Sequence, residues 1–448
     1  MANAWNDTPA RWMLTGLAMI MVAALLACNA AASIKPTAGP IETPTSPPIP
    51  ATTTPTVVPF TLTPSPTPIT PSELSAQTSY ALPLTVRHVT DTSATLLFEL
   101  NVPSEGILLY ESDEGGQRSV VLNASDTRHQ VALEGLAPGI EYHTMVGLAE
   151  AGSYRQPGFR GHSWGPISFR TQSTREPLRI GVIGDSGFGQ QVTFDLATQM
   201  AELNLDFVLH TGDVVYSMEQ NADPYEAYAL KYYLPFAPLL HTVPVYTVIG
   251  NHDVEQEAIH EGTPFIYRAF PPFADPCCPA SEIGGLNQWY AFVYNSIQFL
   301  MLDTQTFFNE QGRAEQLAWL TERLADERFA YSIPVFHVPP FSSGLHPNDG
   351  AALRSEWLPL FEAAKVPLVL SGHDHNYERL AANGITYIVS GGGTSVLYNQ
   401  GATAPESVLF AHQMNFVLLE IYPDRIDLRA IAPGGEVLDQ TTISLDRY

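Results

Sequence analysis

Positive charge is what this chain has least of. Its 448 residues carry 21 Lys and Arg against 46 Asp and Glu, a formal charge of −25. Bulk electrostatics therefore excludes a nucleic-acid binding surface and attraction to anionic lipid. An anionic substrate would need a local positive charge, which bound metal ions supply without any basic patch. Cysteine is scarce too, with three in all. Cys277 and Cys278 are adjacent and lack the spaced partners of a zinc site. Neighbouring Cα atoms lie about 3.8 Å apart, below the usual disulfide range of about 4.4–6.8 Å. The pair is either a strained vicinal disulfide or two loop thiols. Long apolar runs are also missing. The run Trp12 to Ala27 falls short of the roughly 20 residues of a membrane span.

What is present divides the chain into four stretches. Residues 1–28 read as an export signal: Arg11 gives a weakly positive start, offset in part by Asp7, and the apolar run ends in Leu25-Leu26-Ala27-Cys28. That ending resembles the lipobox of bacterial lipoproteins, which implies a lipid anchor on Cys28 and membrane association outside the cytoplasm. The plainer reading is an ordinary signal peptide and a secreted protein. Residues 29–77 are dominated by Pro and Thr, as in Thr63-Pro64-Ser65-Pro66-Thr67-Pro68. They bury no core and favour extended polyproline conformation, a stalk. Residues 78–174 read as all-β, with short apolar strands at Ser93–Leu100 and Gly106–Tyr110 between turn clusters. Leu136-Ala137-Pro138-Gly139-Ile140-Glu141-Tyr142 resembles the tyrosine corner of fibronectin type III domains. This sandwich is expected to pack beside a catalytic domain.

From 175 to 448 apolar runs alternate with helical patterns. Strands are expected at Leu178–Ile183, Asp206–His210, Val243–Ile249, Ile297–Asp303, Ile333–Phe336 and Pro367–Leu370. Helices fit Val192–Leu203, Glu315–Ala325 and Ala351–Ala364. The alternation predicts an α/β domain with strands buried on both faces. Five strands run directly into polar clusters: Gly184-Asp185-Ser186-Gly187, Gly212-Asp213-Val214-Val215-Tyr216, Gly250-Asn251-His252-Asp253, His337, and Gly372-His373-Asp374-His375. In α/β folds, sites assemble beyond the carboxyl ends of strands. Carboxylate, imidazole, amide and phenol form a mixed donor set that suits Fe, Zn or Mn better than Ca. The spacing of His373 and His375 suggests side chains facing one way on an extended segment. His210 ends a strand but matches no ligand position and reads as structural.

The order and spacing of these motifs resemble the metallophosphoesterases, and within them the purple acid phosphatases. Many metallophosphoesterases have a His two residues after the first Asp, where this chain has Gly187. Purple acid phosphatases have a Tyr three residues after the second Asp, where this chain has Tyr216. The resemblance covers Leu178 to the end, including Gly391-Gly392-Gly393, and the β domain resembles the partner domain of larger members. It implies a catalytic sandwich of two β-sheets flanked by helices. It also implies a binuclear centre of Fe(III) with a divalent Zn, Fe or Mn. Asp185, Asp213, Tyr216 and His375 would hold the first metal. Asp213 would bridge to the second, completed by Asn251, His337 and His373.

The function so implied is acid phosphatase action on small phosphate monoesters through a metal-activated hydroxide. His252 would steady the phosphoryl oxygens. His346, nine residues beyond His337, would protonate the leaving group, or else is an exposed loop His. Two other readings remain: a phosphodiesterase or nucleotidase on the same site, and a surface binding protein with a vestigial catalytic domain. Substrate identity, carried by loops such as Glu255–Leu286, and oligomeric state are not legible.

Overall fold

The computed structural model describes residues 78–150, 153–216, 223–255, 259–271, 282–283, 286–287, 289–308 and 312–446. Cys28, Cys277, Cys278 and the stretches read as an export signal and a stalk lie outside them, as does part of the 255–286 loop. Among the described residues no helix is long and apolar enough to cross a membrane.

The N-terminal strands build a two-sheet sandwich. Tyr80–Val89, Ser93–Leu100 and Arg128–Glu134 form one antiparallel sheet. Ile167–Arg170, Glu141–Glu150, Gly106–Ser112 and Gly115–Val121, in that spatial order, form the other. Alternate residues such as Leu96, Phe98, Leu108, Val146 and Phe169 turn inward and are buried. Tyr142 closes the expected corner: its hydroxyl accepts the Ala137 N–H at 2.9 Å. The sequence's fibronectin-like reading thus holds in both strand arrangement and corner.

The C-terminal region, from Leu178 onward, stacks two mixed sheets. The first has six strands in the order Val245–Thr247, Phe207–His210, Leu178–Ile183, Phe416–Ile421, Arg425–Ile431 and Val437–Ser444. Its first three strands are parallel and the rest antiparallel. The second has seven, with Ile297–Met301, Tyr331–Val335, Leu368–Ser371 and Ile385–Ser390 parallel at its centre. Between the sheets lie Ile180, Val182, Leu209 and Val417 against Phe299, Val335, Leu370 and Ile388. On the outer face of the first sheet the helix Gln191–Ala201 buries Leu196, Ala197 and Met200. On the outer face of the second, Leu320, Trp357 and Phe361 cover Leu300, Phe336 and Val369. Strands sandwiched in this way read as continuous apolar runs, which is why they were legible.

The helix expected over Ala351–Ala364 is two helices, Ala351–Glu356 and Leu358–Ala363, broken at Trp357. Pro359 has no N–H to continue the first helix and occupies the first turn of the second, where none is needed. Fully buried Trp357 fills the bend.

The sandwich and the C-terminal sheets share a seam. The Glu99 carboxylate accepts from Arg268 at 2.7 and 3.1 Å, from Arg128 at 3.2 Å and from the Tyr225 hydroxyl at 2.8 Å. The His88 ring lies 3.2 Å from the Tyr246 hydroxyl.

Candidate metal centre

All five clusters converge. Asp185, Asp213 and His373 adopt left-handed backbone, with φ of 58°, 54° and 70°. Such residues need their surroundings to hold them, and in proteins they concentrate at functional sites. The Asp185 carboxylate accepts the His373 N–H at 2.9 and 3.1 Å, tying the first cluster to the last. The Asp213 carboxylate accepts the His252 N–H at 3.0 Å, tying the second to the third. A side chain at position 187 has no room, since a Cβ there would lie 2.5 Å from the Val215 Cα and 2.6 Å from the Tyr216 nitrogen. Gly187 is therefore what lets the Tyr216 segment come close.

Two groups of donors result. In one, the Tyr216 hydroxyl lies 3.2 Å from Asp185 Oδ1 and 2.7 Å from His375 Nε2, itself 3.6 Å from Asp185 Oδ1. In the other, His337 Nε2 lies 3.0 Å from Asn251 Oδ1 and 3.5 Å from Asp213 Oδ2. Donor atoms of Asp185, Asp213 and His337 fall within 4.8 Å of one another, all buried. The His373 ring is 5.0 Å from that of His337. His373 and His375 do not face one way as the period-two reading expected. The left-handed turn at His373 sends the first toward His337 and the second toward Tyr216.

The histidine tautomers favour a cation. His337 Nδ1 lies 2.9 Å from the Thr211 carbonyl, and His375 Nδ1 lies 2.6 Å from the Val396 carbonyl. A carbonyl only accepts, so both Nδ1 atoms carry the proton. The Nε2 lone pair of a neutral His337 then faces two oxygens that also accept. Either a second proton or a metal ion must sit there. The protein's own groups illustrate the first solution. Burial alone would push His337 down, but the charge and hydrogen bonding of Asp213, with the charge of Asp185, raise it to about 10. Burial pushes Asp185 well above the carboxylate range. For Asp213 burial acts upward too, but His337 outweighs it and the net shift is down. Tyr216 is pushed up by burial and then by Asp185 and Asp213. No Lys or Arg pairs with either carboxylate among the described residues. Two buried carboxylates, a phenol, an amide oxygen and inward imidazole nitrogens fit a binuclear centre.

At the mouth, His252 Nε2 is 4.0 Å from Asp213 Oδ2, and its ring lies 4.6 Å from that of Tyr216. His346 Nδ1 donates to Asp374 Oδ1 at 2.9 Å, and its ring is 4.3 Å from that of His373. The hydrogen bond to Asp374 raises the His346 pKa despite burial. His210 is fully buried, 2.8 Å from the Ser186 hydroxyl, and burial lowers it to about 3. That is a neutral, structural histidine.

Sequence reasoning missed the residues that position these groups. Asp349 Oδ2 accepts from His373 Nε2 at 3.1 Å, which turns Nδ1 of that ring free. Asp253 accepts the N–H groups of Val214, Val215 and Gly250, locking two clusters together. Tyr398 stacks on His375 at 4.1 Å and Phe188 on Tyr216 at 3.9 Å. Asp253 and Asp374 stand inside motifs already noted, and that was their only signal.

Residues 178–377 match the family model of the calcineurin-like phosphoesterases. Purple acid phosphatase 23 of Arabidopsis thaliana is 26% identical over 317 residues, 64% of this chain and 62% of that one. Over this region the chain is similar to purple acid phosphatases. Pig tartrate-resistant acid phosphatase type 5 is 26% identical over 317 residues, 62% of this chain and 91% of that one. The chain spans 62% and 52% of the lengths of Arabidopsis purple acid phosphatases 23 and 18. The structure of yellow lupin purple acid phosphatase PPD1 shares the fold, with a TM-score of 0.61 at 19% identity, over 81% of this chain and 74% of that one.

Proposed function

We propose that this chain is an exported, metal-dependent phosphoesterase whose main substrates are small phosphate monoesters. The observation that carries the reading is the convergence of Asp185, Asp213, Tyr216, Asn251, His337, His373 and His375, with the inward Nε2 of His337 aimed at acceptors. Asp185, Tyr216 and His375 would hold one metal, Asn251, His337 and His373 the other, and Asp213 both. The phenol and carboxylates of the first group favour Fe(III). The second suits divalent Zn, Fe or Mn. When bound, such ions offset phosphoryl charge and lower the pKa of water.

The remaining steps belong to the chain. His252, about a third exposed, would donate to phosphoryl oxygens, a bond that strengthens as charge develops on them. His346 in its protonated form gives Nε2–H to the departing alkoxide, while Asp374 fixes Nδ1. Asp349 holds the His373 ring. Export would be completed by lipidation at Cys28, supported by the apolar run before it and the Pro/Thr stretch after it. Cys28→Ser should release the protein from the membrane fraction or block its maturation. Identical processing and anchoring would defeat that part.

The test of the main reading is a panel of phosphate mono- and diesters turned over by the purified chain, before and after chelation. Monoester hydrolysis that is lost with chelator and restored by metal is expected. Turnover of diesters alone would move the assignment to a phosphodiesterase. No turnover of any ester by metal-replete protein would overturn it.

A further inference from the structure

Large apolar side chains scattered singly over a surface need no explanation. Two that stand beside a polar site do. Leu345 and Val396 are 59% and 43% exposed, and each hangs from backbone that holds a group of the candidate metal centre. The Leu345 N–H donates at 3.0 Å to Asp374 Oδ1, the oxygen that also accepts from His346 Nδ1. The Val396 carbonyl accepts from His375 Nδ1 at 2.6 Å. Two residues on, half-buried Tyr398 stacks on the His375 ring at 4.1 Å and meets the His346 ring edge-on at 5.4 Å.

The two segments are tied to each other as well as to the site. The Gly401 N–H donates to the Ser343 carbonyl at 2.7 Å, the Ala404 N–H to the Ser343 hydroxyl at 2.9 Å, and the Tyr398 N–H to the His375 carbonyl at 3.0 Å. Their backbone is therefore set before any ligand arrives, and contact with them costs little ordering. What they serve follows from where they stand. His346, the candidate acid, marks the place from which the leaving oxygen departs. Leu345 precedes it in the chain and the Tyr398 ring lies beside it, so carbon surface begins with the first atoms beyond the ester oxygen. A sugar or polyol there would set hydroxyls against carbon, losing water without gaining bonds. A flat ring suits the place: it has few rotamers to lose, packs on an aliphatic side chain and pairs with another ring.

Resting on the phosphoesterase reading above, we propose that the chain selects aryl phosphate monoesters, with Leu345 and Tyr398 as specificity-determining residues on the leaving-group side of the site. Val396 adds apolar surface to the segment that carries Tyr398. The phosphoryl end of the substrate is common to all monoesters and stays with the metal ligands and His252. The choice among monoesters falls to what the departing alcohol meets beyond His346.

The test is binding, because hydrolysis rates would mix these contacts with the acidity of the leaving group. Calorimetry of the full, metal-loaded chain compares phenylphosphonate with methylphosphonate, whose P–C bonds are not cleaved. Phenylphosphonate should bind roughly 10-fold or more tightly. Leu345→Ser and Tyr398→Ser should each cut that ratio by about 3–5-fold, measured at equal metal content because the Tyr398 ring stacks on a proposed ligand. Leu345→Met, which keeps the apolar surface, should preserve it. A ratio near one in the unaltered chain, or a ratio unmoved by Leu345→Ser or by Tyr398→Ser, would overturn the inference, while methylphosphonate binding would leave the phosphoesterase reading standing. Binding of neither phosphonate by the metal-loaded chain would overturn both.

Discussion

At the scale of single residues, the site is governed by where protons sit. Thr211 and Val396 carbonyls hold protons on the Nδ1 atoms of His337 and His375, so the opposite nitrogens are presented to the carboxylates. Tyr216, raised by burial and by Asp185 and Asp213, stays a phenol unless a cation displaces its proton. Loaded with Fe(III), the proposed centre should therefore show a visible charge-transfer band that Tyr216→Phe abolishes with the fold intact. A band unchanged in that variant would assign the colour elsewhere. His346 differs in that its charge comes from the protein. The bond to Asp374 raises its pKa, so the protonated form persists above the usual histidine range. The stabilisation of that pair is complete below the ordinary histidine value and is lost as pH rises through the raised one. Activity that needs His346 as acid should fall over the same alkaline window. His346→Gln should lower kcat by roughly 100-fold or more for alkyl phosphates and much less for 4-nitrophenyl phosphate, whose leaving group needs no proton. Equal losses on both substrates would remove His346 from proton transfer.

At the scale of elements, the strand ends do the assembling. Gly250 follows Val245–Thr247 by a short turn, and a Cβ there would lie 2.1 Å from Asp213 Oδ1. Gly250→Ala should displace that carboxylate, with loss of metal and of most activity in a chain that still folds; the check is metal content beside circular dichroism. Full metal retention would show that the segment yields more easily than this contact implies. The strands Leu178–Ile183 and Phe207–His210 were readable to within a residue because both faces are covered and the apolar run is unbroken. The same simple period failed at His373, whose φ of 70° reverses the expected side-chain direction. It failed again at Trp357, where Pro359 divides one apparent helix into two. Asp349 was invisible for another reason. It is exposed, lies in a loop, and acquires its role only through a partner 24 residues away. Ligand types follow from local motifs, whereas the groups that orient them depend on tertiary closure.

At the scale of the whole molecule, the sandwich and the catalytic sheets behave as one body. Glu99 belongs to the sandwich, and two of its partners, Arg268 and Tyr225, belong to the catalytic region. Its side chain is 6% exposed, while those of Arg128 and Arg268 are 26% and 31% exposed. Glu99→Ala would leave two arginines facing each other across the seam, at a cost of about 2–4 kcal/mol after allowance for that exposure. Chemical denaturation should show this as a lower midpoint, and an unchanged midpoint would mean that the seam rests on its apolar contacts alone. The net charge of −25 gives a second whole-chain consequence: the positive charge that the proposed phosphate-ester substrate needs would have to come from the proposed metal centre. The central claim is that one carboxylate, Asp213, serves both metal positions. Its most direct test is metal analysis of the purified chain and of Asp213→Ala, each confirmed folded. The account predicts two metal ions per chain in the first and near-complete loss of both together in the second. Full occupancy in Asp213→Ala, or loss of one ion only, would contradict it.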